Sequence, residues 1–204
     1  VLFMLISVMV FAQEETVIVP GTRVSMPEPE GFTKSAQFAG YQKGETAMIN
    51  VMDLNGGNFY SNAATFSKEN FESKGVEVLE YEELMIGGFP AKFIKVITED
   101  QSHMMNAVFG DSTFSVMIMG AYLPEDEAAE ETIRKSILSA GYNKDFEVDP
   151  FSNAFFSLDD SKSRLKYANA AAGMFMYSID GKDGNGPDRP MALVLPLPKD
   201  VFAI

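Results

Sequence analysis

Apolar and polar residues alternate with a period of two along most of this chain, and that period predicts strands. "TVIVP" and "TRVSMP" are two short runs around Pro20-Gly21, followed by the polar loop "PEPEG". "SAQFAGYQ" and "TAMINVM" flank Lys43-Gly44-Glu45, which predicts a hairpin, and "DLNGGN" then interrupts the sheet. "VEVLEYEELMI" returns to strand character. After Gly87-Gly88 come "FPAKFIKVITED", "SHMMNAVFG" and "STFSVMIMGAY", joined by polar or glycine-containing turns. These three runs predict an antiparallel meander.

The period changes to that of a helix twice. Phe59, Ala63, Phe66 and Asn70 share one stripe with Phe71 beside it, which predicts a helix from Phe59 to Lys74. Ser61 is placed to cap its start and Gly75 to stop it. In "LPEDEAAEETIRKSILSAGYN", Ala129, Ile133, Ile137 and Ala140 form a second stripe. Pro124 suits the first helical position, Glu125, Asp126 and Glu127 load the positive end of the dipole, and Gly141 suits the position after the end. Glu130–Arg134 and Glu131–Lys135 have the spacing and order of favourable surface pairs.

The order of these elements is similar to that of a known group. Short strands ending in a Pro-containing loop, a "GF" before the next strand and a hairpin come first. A helix, the meander with "GGFPAKFIKV" and a last helix ending "IRKSILSAGY" follow. Together, over roughly residues 16–143, they resemble the PsbP/Mog1/DcrB-like proteins. The resemblance implies an α+β fold, an antiparallel β-sheet sandwiched between α-helices. It also implies a non-enzymatic role in assembly or docking, or an exported protein of unknown role. It carries over no catalytic residue.

The chain then begins again. Setting Phe156-Ser157-Leu158 beside Val24-Ser25-Met26 brings Leu165 onto Phe32, Ala172 onto Ala39 and Gly173 onto Gly40. "FAGYQKG" then matches "AAGMFMYSIDGKDG", and "TAMINVM" matches "MALVLPLP". Two readings stand for residues 146–204: a partial second repeat, or a C-terminal extension packed on the domain of residues 13–145.

"VLFMLISVMVFA" at residues 1–12 is uncharged and apolar, and "QEET" turns polar at once. It is too short to cross a bilayer as a helix, which takes about 20 apolar residues. Its length and the Val10-Phe11-Ala12 ending read as a signal peptide, which makes the mature protein exported, periplasmic or secreted, without membrane insertion after cleavage. There is no cysteine, so disulfides, thiolate catalysis and Cys-based metal sites are excluded. Formal net charge is −13, a surface that repels nucleic acid. No basic patch offsets it.

Candidate chemistry is sparse. The single histidine, His103 in "QSHMMN", lacks a nucleophile elbow anywhere in the chain, which weakens a hydrolase reading. Thirteen methionines include Met104 and Met105 beside His103, and the pairs Met117/Met119 and Met174/Met176 on single strand faces. Core filling explains them most simply, with copper(I) ligation or an adaptable partner surface as alternatives. "DGKDGNGPD", Asp180 to Asp188, departs from an EF-hand loop at Pro187 and lacks the closing Glu, so a long turn explains it better than calcium. The acidic groups Glu28/Glu30 and Glu80/Glu82/Glu83 read as solvated faces rather than a glycosidase pair. "NGGN" lacks the Lys and spacing of a phosphate loop.

These residues argue for an exported, non-catalytic binding or docking module with no cofactor and no metal. Its partner is an unidentified protein or small ligand. The expected contact residues cluster near the end of the first hairpin, where loops carry recognition: Tyr41, Asn55, Asn58, Phe59 and Tyr60. The alternatives are a copper- or calcium-binding exported protein and a hydrolase of unrecognised type.

Overall fold

A computed structural model describes residues 15–54, 56–98, 101–149, 151, 152, 156, 158–171, 174–182 and 190–195. The expected leader at residues 1–12, Asn55, the Ala172-Gly173 pair and most of the Asp180–Asp188 turn lie outside these residues. Along the chain run β1 (Thr16–Ile18), β2 (Val24–Pro27), β3 (Thr33–Lys34), β4 (Gly40–Lys43) and β5 (Ala47–Asp53). Two short helices follow, α1 (Phe59–Asn62) and α2 (Lys68–Glu72). Then come β6 (Glu77–Ile86), β7 (Phe89–Ile97), β8 (His103–Gly110), β9 (Ser115–Tyr122), α3 (Glu127–Leu138) and β10 (Gly141–Tyr142). The chain continues into β11 (Leu165–Ala171), β12 (Met174–Ile179) and β13 (Met191–Val194).

Seven strands form the main sheet in the order β3-β4-β5-β9-β8-β7-β6, all antiparallel. The expected meander is therefore present, and β6 extends it while β5 closes onto β9. A small sheet, β1-β2-β10, sits beside it. At Gly40, φ is +146°, and any Cβ there would fall on the Ile49 carbonyl oxygen. Only glycine lets β4 lie that close to β5.

Alternation sorts the sheet residues onto two faces, and the faces are covered unequally. Tyr41, Ile49, Phe93, Met105, Ile118 and Tyr122 face α3, whose stripe of Ala129, Ile133, Ile137 and Ala140 is buried against them. A fully buried side chain of this kind contributes about 1.5–3 kcal/mol. On the other face α1 and the turn that follows it supply Phe59, Ala63 and Phe66 against Ile94, Val96 and Val108. They cover only the β6-to-β9 half. The fold is thus α+β and antiparallel, but richer in strand than a sheet sandwiched evenly between helices.

Two helical expectations need correcting. The helix predicted from Phe59 to Lys74 is broken at 63–67. Ala63 donates back to Phe59 and ends α1, and the Ser67 side chain accepts from Asn70 N to start α2. Phe66, between them, is buried. Ser61 does not cap α1 as its first residue. Asn58 does, accepting from Ser61 N at 3.2 Å while Ser61 Oγ accepts from Asn58 N at 2.9 Å. For α3, Asp126 rather than a residue before Pro124 is the N-cap, and its carboxylate accepts from Ala129 N at 3.0 Å. The helix stops at Leu138, so Gly141 begins β10 instead of terminating α3.

Beyond Tyr142 the described residues enter neither core. β11-β12-β13 is a separate antiparallel sheet with a register shift between Tyr167 and Asn169. Phe175 and Tyr177 are buried on one of its faces. There Phe151 stacks on Phe175 at 5.3 Å, Phe156 meets it edge-on at 5.0 Å, and Tyr167 meets Tyr177 at 6.0 Å.

Candidate binding groove

Two segments distant in sequence make a concave surface beside α3. One wall is β1 with the loop from Pro27 to Phe32. Thr22 shapes the turn from β1 into β2, donating to the Val19 carbonyl at 2.9 Å and accepting from Val24 N at 3.0 Å. Gly31 at φ +78° lets the loop fold back, so that Phe32 N donates to Pro29 O at 3.1 Å. The other wall is the surface of α3. The groove between them measures about 760 Å³.

Its charges are mostly negative: Glu15, Glu28, Glu30 and Glu131 against Lys43 and Lys135. Lys43 is already committed, with Nζ 2.7 Å from Asp126 Oδ2. That bond and the Ala129 N–H hold the Asp126 carboxyl below the ordinary Asp range. The hydrogen bond from Lys34 to Glu28, 2.8 Å long, holds Lys34 above its ordinary value. The groove's hydroxyls serve the helix: Ser136 Oγ donates to Thr132 O at 2.8 Å and Ser139 Oγ to Lys135 O at 2.7 Å. Val17, Pro27, Pro29 and Phe32 supply an apolar floor. Neither histidine nor an oriented nucleophile lines it.

The expected contact residues do not converge. Tyr41 lies in the main core at 1% exposure, and Phe59 seats α1 at 7%. Tyr60 is 64% exposed and Asn58 caps α1, so these two are the reachable members of the group. Asn55 is outside the described residues. Sequence reasoning missed the groove because its walls lie about a hundred residues apart in sequence, around 15–32 and 128–139. The acid-and-proline phrase "PEPEG" was the visible hint.

The candidate chemistry disperses in the same way. His103 and Met105 share the α3 face of β8, whereas Met104 faces α1 and α2, so the His-Met-Met phrase cannot close on one ion. The His103 ring meets Tyr122 edge-on at 5.6 Å, and its Nδ1 is buried without a hydrogen-bond partner. Burial pushes the Tyr122 hydroxyl far above its ordinary value. Nearby, Lys95 bridges Glu130 at 2.5 Å and Arg134 bridges Glu80. Glu83 accepts from the Tyr81 hydroxyl at 3.0 Å. Burial and that carboxylate push Tyr81 up to about 12. The Glu80/Glu82/Glu83 group is thereby divided between partners on two faces of β6. Among the described residues no three His, Asp or Glu side chains are placed to hold a metal. Nor is any described helix long and apolar enough to cross a membrane.

No protein-family model matches the chain, and no curated protein matches it. Among solved structures it is similar to one from Bacteroides thetaiotaomicron, at 16% identity and a TM-score of 0.43, over 67% of this chain and 51% of that one. The chain spans about half the length of that structure. It is also similar to cyanobacterial PsbP (CyanoP) from Synechocystis, at 12% identity and a TM-score of 0.38, over 68% of this chain and 99% of that one. A PsbP thus stands among the structures this chain is similar to, at the level of fold outline alone.

Proposed function

We propose that this chain is an exported, non-catalytic binding module that holds a basic, extended segment of a partner protein in the groove beside α3. The observation that carries the reading is the groove's lining. Four glutamates ring an apolar floor of Val17, Pro27, Pro29 and Phe32, and one of its two lysines is neutralised by Asp126. Such a surface favours a chain that offers cations at its rim and aliphatic or proline side chains at its centre. The overall charge of −13 adds steering toward a basic partner.

Fluorescence anisotropy with labelled Lys/Arg-rich and Asp/Glu-rich peptides tests it. The basic peptides are expected to bind and the acidic ones not. Raising salt to about 0.5 M, where the Debye length is a few ångströms, should weaken binding by about tenfold or more. Glu30→Lys with Glu131→Lys, both on the groove rim, should remove binding without lowering Tm. If basic peptides fail to bind, or bind the reversed-charge variant equally well, the groove is not the docking site. Turnover of any ester, glycoside or peptide by the chain would sink the non-catalytic part.

A further inference from the structure

Where the cover of α1 and α2 gives out, across β8, β9 and β5, the same face of the main sheet is lined with thioethers. On β5, Met48, Asn50 and Met52 share this face; on β9, Met117, Met119 and Ala121; on β8, Met104 and Asn106. The registers place them in a grid. Met52 lies directly opposite Met117, Asn50 opposite Met119, and Asn106 opposite Met119 from the other side. Met117 rests against the α1/α2 cluster, while Met52 and Met119 lie beyond it, half-exposed. Directly opposed residues have Cβ atoms about 5 Å apart, and diagonal neighbours are about 7–8 Å apart. An unbranched side chain with three rotatable bonds spans those gaps, so three sulfurs can meet over one point.

A second feature marks the same place. Asn106 is only 7% exposed, and its Oδ1 has no hydrogen-bond partner. A buried acceptor left unmatched costs about 1–3 kcal/mol. Filling gaps in a core requires neither an orphaned amide oxygen nor a row of half-exposed methionines.

We propose that Met52, Met117 and Met119 form a binding site for a soft monovalent metal ion, Cu(I), with Asn106 Oδ1 as a weak fourth contact. Thioethers are soft, uncharged donors that select Cu(I) over hard cations, and an amide oxygen is a known distant ligand at copper centres. The three sulfurs carry no protons to release, so binding is independent of pH where imidazole and carboxylate sites lose their metal. The site uses neither His103 nor Met105, and it lies on the sheet face opposite α3. It stands apart from the groove reading, and either can fail alone.

The test uses the full chain, methyl-labelled at methionine, titrated with Ag(I) in chloride-free buffer as the redox-inert probe. The ε-methyl resonances of Met52, Met117 and Met119 are expected to shift together and saturate at one equivalent, at pH 7 and again at about pH 5. The variant carrying Met52→Leu, Met117→Leu and Met119→Leu keeps shape and apolarity, and it should bind Ag(I) about tenfold more weakly or worse. A control carrying Met174→Leu, Met176→Leu and Met191→Leu removes as many sulfurs elsewhere and should bind as the parent does. Equal losses in both variants, or shifts spread over all methionines, would overturn the site. So would binding that disappears between pH 7 and about pH 5, since that points to His103 or carboxylates.

Discussion

Three antiparallel strands joined in chain order form one edge of the main sheet, β3-β4-β5, and make up the whole of the separate sheet β11-β12-β13. In the first, Tyr41, Ile49 and Val51 are at most 2% exposed, part of the core that α3 and β2 close. In the second, Met174, Met191, Leu193 and Leu195 on the corresponding face are 38–51% exposed. When Gly173 is set on Gly40, Met174 takes the place of Tyr41, a residue buried in the main core. Strand patterning therefore repeats while burial does not. The meander supplies an apolar face in both regions, and what makes a core is the element that closes over it. The second sheet instead relies on its other face, where Phe151, Phe156, Phe175 and Tyr177 pack together.

The sharpest way to break this comparison is to put a charge on each face in turn. Ile133 is fully buried between α3 and the sheet, directly over Gly120. Ile133→Asp leaves an unpaired carboxylate there, and residues 15–142 should lose cooperative melting, a cost of about 4 kcal/mol or more. Leu193→Asp places the same charge at a site 51% exposed and should change stability by no more than about 0.5 kcal/mol. Calorimetry on the two variants reads this directly. Comparable losses would mean that the second apolar face is covered in solution.

A smaller effect decides whether the two regions are one folding unit. Phe175→Ala removes the centre of the aromatic cluster, costing about 3 kcal/mol locally. Hydrogen exchange should then show amides of β11 to β13 losing protection while β4 to β9 keep theirs. A chain ending after Glu147 keeps both the Arg23–Phe146 hydrogen bond and the Lys144–Asp111 ion pair. Its main sheet should exchange as in the full chain. We read residues 146–204 as a partial second repeat, and deprotection of β4 to β9 in either experiment would make them an extension of one domain instead.

How much of this was legible in the sequence depended on range. Strands β4 to β9 were readable because alternation is local and each run is bounded by turn residues. The stripe of α3 was readable for the same reason. The break between α1 and α2 was written in the chain as Ser67 three residues before Asn70, but a continuous apolar stripe masked it. Arg134 and Glu130 were expected to pair with each other; they reach Glu80 and Lys95 on the sheet instead, contacts that only tertiary packing creates. Tyr41 was readable as a sheet residue yet not as a buried one, since nothing near it in sequence says which distant elements close over it. The groove and the thioether grid likewise depend on strand order, which no single stretch encodes.

Acid should separate the two regions more gently. Within residues 15–142, Glu69, Asp111, Asp126 and Glu130 have carboxyls held below their ordinary values; Lys144 and Thr113 hold Asp111, and Lys43 with a helix N–H holds Asp126. Burial pushes Glu130 up, but the bond from Lys95 and the neighbouring Tyr122 hydroxyl outweigh it. Asp53 runs the other way, raised chiefly by burial. Among the described carboxyls of the second region only Asp159 is lowered, by Ser161. A carboxyl depressed in the folded state stabilises it above the unfolded value of about 4 and loses that contribution as pH falls through the folded value. The Tm of the first region is therefore expected to fall below about pH 4 more steeply than exchange protection in β11 to β13 does. Lys95→Gln lowers the Glu130 contribution, so it should cost stability at pH 7 and flatten the acid slope. A melt whose acid slope is unchanged by Lys95→Gln would remove the Lys95–Glu130 bridge from the account and leave the Asp111 and Asp126 pairs to explain it.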